Sequence, residues 1–217
     1  GILGIIGVIG QQDEKTVSVQ HFKTLKIASH QLSNLVSNVL DHSRLSSNAA
    51  LEIQSIHFNI LDIVNELEDM FYNMADDKGL SLSFHVQGDL MLDRYGDYGK
   101  LRQILINIMG NAIKFTHSGQ VGLTVLQGSS EGELMFSITD TGDGIEEAHI
   151  ERIYTAYHQV PGNNSFQKTG SGLGLSISKA LTMVMGGTLN VKSNINRGTQ
   201  FDCVLPLKPV IVSHKKM

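Results

Sequence analysis

The stretch from Asp97 to Thr116 constrains the fold most, because it joins a helical apolar pattern to an unusual polar face. Asn107 and Asn111 lie four positions apart and share one helix face, and Lys114 follows on nearly the same face. Amide oxygens can bind a hard cation such as Mg²⁺, and an ammonium group can bind phosphate. On this helix alone, a merely solvated polar face is an equal alternative. The apolar residues at helical spacing are Leu101, Ile104, Leu105, Ile108 and Ile113.

Two glycine clusters later in the chain favour a binding site. The first, Asp140–Ile145, reads Asp-Thr-Gly-Asp-Gly-Ile and follows an apolar run, which places a carboxylate at a predicted strand end before a tight turn. The second, Gly170–Leu175, reads Gly-Ser-Gly-Leu-Gly-Leu and opens a helical pattern, where free backbone N–H groups attract phosphate. Each cluster alone is typical of a turn, but the order and spacing of all three stretches are a strong signal of a binding site.

These residues resemble the asparagine box and the two glycine boxes of the sensor histidine kinases. That family belongs to a wider ATPase group that includes DNA gyrase and the MutL proteins. The resemblance extends from Gly1 to about Leu207, and all three boxes are complete. It implies an ATP-binding kinase domain that uses Mg²⁺. It implies the nucleotide-binding residues Asn107, Asn111, Lys114, Asp140, Gly142, Gly144, Ile145, Tyr154, Lys168, Gly170, Ser171, Gly172, Leu173, Gly174 and Leu175.

The resemblance also assigns a role to several of these residues. Asp140 would accept the exocyclic amine of adenine, with Gly142 and Gly144 leaving room for the purine. Asn111 would bind Mg²⁺. Asn107 would help to order water and metal and, with Lys114, is the predicted catalytic residue. Lys114, the backbone amides at Gly170–Gly174 and, by a looser correspondence, Lys168 would hold phosphates. Tyr154 and Tyr157 stand where the family has two phenylalanines near the lid, and Val160–Thr169 reads as that lid.

Composition limits the function classes. The net charge is −4, which argues against nucleic acid as a partner. Cys203 is the only cysteine and lies on an apolar alternation, so we expect a core thiol and a reducing compartment. No apolar run reaches the ~20 residues that span a bilayer, so we expect no membrane contact. The chain starts at Gly1 without methionine, so we expect a piece of a longer protein.

The N-terminal part predicts a long helix from Thr16 to Ser46 with an apolar stripe that needs a partner. The resemblance supplies that partner, because the family has a helical hairpin that forms a homodimer. A helix packed on its own domain is the alternative. The family's acceptor histidine is followed by an acidic residue and later a proline, and His21, His30 and His42 lack this pattern. We therefore expect the acceptor histidine outside this chain.

The predicted fold class is α+β: a helical hairpin fragment, then a sandwich of three helices on a mixed, mostly antiparallel sheet. The predicted domains are residues 1–52, 53–209 and a tail at 210–217. Apolar patterns predict strands at Ser55–Asn59, around Phe84, Leu123 and Phe136, and a closing hairpin of 188–192 and 198–205. They predict helices at Ile60–Lys78, capped by Gly79, and at Glu146–Tyr157, as well as after the second glycine cluster. On Ile60–Lys78 the predicted buried face is Ile60, Ile63, Val64, Leu67, Met70, Phe71 and Met74.

The resemblance implies a response regulator or receiver domain as partner, and a place in the cytoplasmic part of a bacterial inner-membrane sensor. Two alternatives remain open from the sequence. One is a protein-serine kinase of the anti-sigma type, which the helix at Thr16–Ser46 disfavours. The other is a nucleotide-sensing module without catalysis, which the complete boxes disfavour.

Overall fold

The computed structural model describes residues 52–88, 90–158 and 172–210. The chain divides between Ala49 and Ala50 into two units, and all described residues belong to the second. The predicted helix at Thr16–Ser46, the predicted lid at Val160–Thr169 and residues 211–217 lie outside the described residues. The hairpin and the domain boundary at residue 52 therefore stay predictions.

The described residues form helices and strands in the order expected for a layered α/β domain. A short 3₁₀ helix, Arg152–Tyr154, follows the third helix. The strands are β1 Ile56–Asn59, β2 Ser81–Val86, β3 Asp93–Gly96, β4 Gln120–Gln127, β5 Glu133–Asp140, β6 Thr188–Asn194, β7 Gly198–Pro206 and β8 Lys208–Pro209. The helices are α1 Ile60–Asp76, α2 Tyr98–Phe115, α3 Glu147–Ile150 and α4 Gly174–Val184.

The main sheet has five strands in the order β2-β4-β5-β7-β6. Only the β2–β4 pair is parallel, so the prediction of a mixed, mostly antiparallel sheet is confirmed. Along β4, Val121, Leu123 and Val125 are fully buried and alternate with more exposed residues, because side chains of a strand point to opposite faces in turn. A second, antiparallel sheet has the order β1-β3-β8.

The helices bury their apolar stripes against this sheet, with α1 contacting β2, α2 contacting β5 and α4 contacting β6 and β7. Full burial of one Leu or Ile side chain contributes about 1.5–3 kcal/mol, and α2 alone buries several. These core-facing residues make α2 the central helix of the layer. Its buried residues are Leu101, Ile104, Leu105, Ile108, Met109, Ala112 and Ile113.

Polar side chains fix where α1 and α2 begin, and a glycine turn fixes where α1 ends. The Asn59 side chain accepts a hydrogen bond from Leu61 N–H at the start of α1, and Asp97 accepts one from Lys100 N–H at the start of α2. Gly79 ends α1 with φ +66°, and the N–H groups after the helix turn back to its last carbonyls, as in a Schellman motif. The predicted role of Gly79 is therefore confirmed.

The structure corrects three sequence predictions. Met70 and Met74 were placed on the buried face of α1, but they are 37% and 50% exposed, and Ala75 is buried in their place. The single helix predicted at Glu146–Tyr157 is broken, since α3 ends at Ile150 and a 3₁₀ turn follows. Strand β3 was not predicted. The prediction that Cys203 is a core thiol is confirmed, because Cys203 is fully buried.

Candidate nucleotide-binding site

Helix α2 contacts both glycine clusters and so brings the three sequence stretches together. In its middle, the Asn107 amide nitrogen lies 3.3 Å from the Gly174 carbonyl oxygen and 3.4 Å from Ser178 Oγ, at the start of α4. At its C-terminal end, the Phe115 carbonyl accepts a hydrogen bond of 3.2 Å from Asp143 N–H in the turn after β5. The described parts of these three stretches therefore lie around one helix.

The Asp140 carboxylate is held asymmetrically at the end of β5. Its Oδ1 accepts hydrogen bonds from Gly142 N–H at 2.8 Å and from Thr199 N–H, on the neighbouring strand β7, at 3.2 Å. Oδ2 accepts no hydrogen bond from any described residue. Since an ionised carboxylate can accept about four hydrogen bonds, Asp140 keeps about half of its acceptor capacity for a ligand.

Burial raises the pKa of the Asp140 carboxyl above its usual value, and the charge of Asp143 acts in the same direction. The two backbone hydrogen bonds oppose this rise in pKa, because they stabilise the charged form. The two hydrogen bonds offset only part of the cost of burying the charged carboxylate. A ligand that donates further hydrogen bonds to Asp140 would therefore stabilise its charged form.

The two glycines of the first cluster lie against backbone carbonyl groups of neighbouring elements. A Cβ on Gly142 would meet the Phe115 carbonyl oxygen, and a Cβ on Gly144, which has φ +70°, would meet the Asn194 carbonyl oxygen. The sequence interpretation gave these glycines the task of leaving room for a purine. The structure supplies a different reason for glycine there, namely the close approach of the turn to α2 and to the β6–β7 hairpin. Ile145 N–H donates to Ser193 Oγ on β6 at 2.8 Å.

Asn111 and Lys114 follow Asn107 along α2, and both are half-buried. Burial lowers the pKa of the Lys114 ammonium, whose Nζ lies 4.6 Å from the centroid of the Phe115 ring. A partly desolvated cation binds an anion more strongly than an exposed one does. Helix α2 therefore presents two amides and one ammonium in the order that its sequence predicted.

The second glycine cluster forms the start of α4. No side chain caps this helix at Leu173, so its first N–H groups have no side-chain partner at the cap. Leu173 is buried in the core, which limits its predicted contact with a ligand to its backbone. Gly172 has φ +69°, and Leu175 is half-buried. Lys168, Gly170 and Ser171 lie outside the described residues.

The two tyrosines before the lid have different surroundings. Tyr154 is half-buried, and burial raises its pKa to about 12. Within the described ranges its buried hydroxyl has no hydrogen-bond partner, and the Lys179 ammonium lies 5.1 Å from its ring centroid. Tyr157 is 66% exposed and has φ +61°. Of the two tyrosines that stand where the family has phenylalanines, only Tyr154 is thus partly buried.

Sequence reasoning missed three residues that hold the site together. Thr199 N–H binds Asp140, and Ser178 Oγ lies beside Asn107, as described above. The Lys78 ammonium donates to the carbonyl oxygens of Ile113, Lys114 and Thr116, at 2.7, 3.0 and 3.2 Å, and so caps the C-terminal end of α2. The Gly198–Thr199 pair after a predicted turn was the one sequence signal that could have indicated Thr199. Glycine at position 198 permits the close approach of this segment to Asp140.

Comparison with known proteins identifies the family. Residues 96–209, just over half of the chain, match the family described as histidine kinase-, DNA gyrase B- and HSP90-like ATPase. The chain therefore belongs to this family of ATPases. Its described elements and the matched range coincide from the end of β3 to β8.

The similar proteins narrow the class to sensor histidine kinases. The chain is 30% identical over 204 residues to the signal transduction histidine-protein kinase BarA of Escherichia coli K12, covering 93% of this chain and 22% of BarA. It is 29% identical over 212 residues to the autoinducer 2 sensor kinase/phosphatase LuxQ of Vibrio cholerae, covering 97% of this chain and 25% of LuxQ. The chain thus spans about a quarter or less of these relatives.

Solved structures agree with this class. Full-length ShkA in complex with AMPPNP superposes with a TM-score of 0.76 and 29% identity, over 96% of this chain and 43% of that one. The Acinetobacter baumannii histidine kinase AdeS superposes with a TM-score of 0.68 at 20% identity, over 94% of this chain and 92% of that one, and shows the shared fold. The described part of the chain is thus similar in sequence and in fold to the ATP-binding domain of sensor histidine kinases.

Proposed function

We propose that this chain binds ATP with Mg²⁺ and transfers the γ-phosphoryl group to a histidine, as the kinase part of a two-component sensor. The Asp140 carboxylate supports this proposal most. It has one oxygen fixed by two backbone N–H groups and one oxygen without a partner among the described residues. It also stands directly before the turn that contacts the helix carrying Asn107 and Asn111.

Asp140 would recognise the adenine base. The exocyclic amine of adenine is a donor, and Oδ2 of Asp140 is an acceptor that the described protein groups leave unused. A guanine base presents a carbonyl oxygen at the same position, which would be repelled by the carboxylate. The site should therefore prefer adenine nucleotides to guanine nucleotides.

The residues fit a Mg²⁺ ion that is held mainly by the nucleotide. Within the described ranges, no group of three or more His, Cys, Asp or Glu side chains is arranged to hold a metal ion. Mg²⁺ commonly takes one or two protein ligands and completes its shell with water and phosphate oxygens. Asn111 would be the protein ligand, and Asn107 would help to order the surrounding water. When bound, Mg²⁺ neutralises phosphate charge.

Lys114 and the N-terminus of α4 would hold the phosphate groups. The half-buried ammonium supplies a positive charge. Helix α4, which has eleven residues and no side-chain hydrogen bond at its N-cap, supplies backbone donors and a favourable dipole. Lys168, Gly170 and Ser171 would complete this end of the site. Phosphoryl transfer requires mainly such positioning and charge stabilisation from the protein.

The acceptor would be a histidine on the dimerisation hairpin of the sensor, followed by an aspartate of a response regulator or receiver domain. None of the nine histidines of this sequence is followed by an acidic residue, as the family's acceptor is. The hairpin would form a homodimer, and the domain would work on the cytoplasmic side of a bacterial membrane. Among the described residues, no helix is long and apolar enough to cross a bilayer.

Incubation with γ-labelled ATP and Mg²⁺ tests this function. We expect the chain alone to bind ATP but to remain unlabelled, and to label a separately prepared kinase hairpin that carries the acceptor histidine. The label should be acid-labile and base-stable, as phosphohistidine is. An acid-stable, base-labile label would instead indicate serine phosphorylation. The Asp140→Asn variant should lose transfer, whereas rapid acid-labile labelling of the chain alone would identify one of its own histidines as the acceptor.

A further inference from the structure

We propose that Ser193, on β6, is a positioning residue that holds the turn after Asp140 and thereby keeps Asp140 in the orientation that binds adenine. This inference rests on the proposed nucleotide site and adds a residue to it that does not contact the ligand. Three features support it: the hydrogen bonds of the Ser193 hydroxyl, the close approach of two backbone segments around it, and its link to Asp140 through Thr199.

The Ser193 hydroxyl uses its full hydrogen-bonding capacity. Its Oγ accepts from Ile145 N–H at 2.8 Å, donates to the Gly198 carbonyl at 3.0 Å and lies 2.9 Å from Thr199 Oγ1. A hydroxyl has one proton and two acceptor lone pairs. Because the proton of Ser193 goes to Gly198, the Thr199 hydroxyl must be the donor in the third bond. One side chain on β6 therefore fixes both the turn after β5 and the start of β7.

The backbone around Ser193 is pressed against that turn on both sides. A Cβ on Gly144 would collide with the Asn194 carbonyl, and a Cβ on Gly198 would collide with the Asp140 carbonyl. Asn196 N–H also donates to the Asp143 carbonyl at 2.8 Å. The turn thus follows the β6–β7 hairpin closely, and Ser193 supplies the side-chain hydroxyl at the centre of this contact.

Thr199 transmits the effect of Ser193 to the ligand-binding group. Its backbone N–H donates to Asp140 Oδ1, and its hydroxyl is held by Ser193. Gly142 N–H, three residues before Ile145, donates to the same Oδ1. Both donors that orient Asp140 therefore belong to segments that the Ser193 hydroxyl joins. Loss of this hydroxyl should let the carboxylate turn away from the direction in which Oδ2 receives the adenine amine.

The test is a double-mutant cycle of Ser193→Ala and Asp140→Asn in the full chain, with ADP and adenosine binding followed by calorimetry or ligand-observed NMR. Ser193→Ala should weaken binding of both ligands about three- to tenfold, the range of one net hydrogen bond. The loss should be equal for the two ligands, since they share the base. In the Asp140→Asn background the same substitution should cost less than about twofold, because a residue that acts through Asp140 loses its effect there.

Two further variants separate positioning from a general structural effect. Ser193→Thr keeps a hydroxyl on a strand that tolerates β-branched residues and should bind ADP like the unmodified chain. Ser137→Ala, on β5, removes a hydroxyl that donates to Asp202 at 2.7 Å on the same sheet and should leave ADP binding unchanged. If Ser193→Ala costs the same in both backgrounds, or costs nothing, the inference is wrong. If Asp140→Asn itself binds ADP normally, the proposed nucleotide site is wrong instead.

Discussion

Replacing Asp140 with asparagine should separate nucleotide binding from the stability of the domain. The asparagine carbonyl can take the place of Oδ1 and keep the hydrogen bonds from Gly142 and Thr199, at 2.8 and 3.2 Å. Its amide nitrogen then stands where Oδ2 was and presents protons to a ligand amine that also presents protons. If the amide flips instead, the ligand regains an acceptor, but the two backbone N–H groups lose theirs.

Either orientation of the new amide costs a charged hydrogen bond. Such a bond contributes roughly 1.5–3 kcal/mol, which corresponds to a loss of about ten- to a hundredfold in affinity. We expect this loss for ATP, ADP and adenosine alike, because all three present the same base to Asp140.

The free energy of unfolding of the ligand-free domain should not fall as the nucleotide affinity does. Burial raises the pKa of Asp140 in the folded domain, so the folded state binds the proton more tightly than the unfolded state does. Stability from this group is thus present below the unfolded pKa and is lost as the pH rises through the folded pKa. At pH 7 the neutral asparagine should leave the ligand-free domain as stable as before or more stable. This advantage should disappear as the pH is lowered into the range where Asp140 is protonated.

Calorimetric titration with ADP and thermal unfolding at pH 7 and at acidic pH measure both effects. Asp202→Asn is a matched control, because Asp202 accepts hydrogen bonds from Ser137 and Gln200 and takes no part in the proposed site. Unchanged ADP affinity in Asp140→Asn would remove Asp140 from the site. A marked drop in Tm at pH 7 would show that the carboxylate is a structural group, contrary to the reasoning from its pKa.

Two other variants and one labelling experiment test separate parts of the proposal. Asn111→Ala should spare adenosine binding but abolish the gain in ATP affinity on adding Mg²⁺; an equal gain in the variant would exclude Asn111 as a ligand. Lys78→Met removes the cation that caps α2 and should lower the free energy of unfolding by about 1–2 kcal/mol in urea, whereas the same change at exposed Lys208 should not. Burial raises the pKa of the Cys203 thiol to about 12, so a thiol reagent should label Cys203 only at the rate of unfolding; fast labelling of the folded protein would contradict its place in the core.

The sequence predicted the parts of the fold whose residues follow a regular period. Helix α2 was predicted within a residue of its ends, because its apolar stripe is a local signal. Strands β4 and β5 and the closing hairpin were also predicted, because the alternation of their apolar residues matches their burial, although β6 extends two residues beyond its predicted end. On α1 the pattern placed Met70 and Met74 inside, but the flanks of a wide apolar stripe can stay exposed when no neighbouring element covers them.

The missed elements depend on contacts that no local pattern contains. Strand β3 has no apolar alternation, and its Arg94 is 1% exposed, although arginine in a sequence indicates the surface. Its guanidinium donates to the carbonyl oxygens of Met91, Glu131 and Leu207, which come together only in the folded chain. The segment after α3 has helical composition, but Tyr157 N–H donates to the Gly172 carbonyl instead of continuing a helix. Tertiary hydrogen bonds overrode local propensity in both places.

The candidate site also contains residues that the sequence predicted and residues that it did not. The roles of Asp140, Asn107, Asn111 and Lys114 were implied by the resemblance of their motifs to the family's boxes, and the structure brings the described parts of these stretches together around α2. The reason for glycine at Gly142 could not be read from the motif, because it lies in a carbonyl of α2 that is distant in sequence. Thr199 and Ser193 were missed for the same cause: their function depends on the neighbouring strand and not on their own surroundings in sequence.

A crystal structure of this chain with a non-hydrolysable ATP analogue and Mg²⁺ tests the central claim most directly. The account predicts that the adenine amine lies within hydrogen-bonding distance, about 2.7–3.2 Å, of Asp140 Oδ2, with the Mg²⁺ ion bound to the side-chain oxygen of Asn111 and to phosphate oxygens. It also predicts that the phosphates lie between Lys114 and the N-terminus of α4. A base bound away from Asp140, or a metal ion without contact to Asn111, would contradict it.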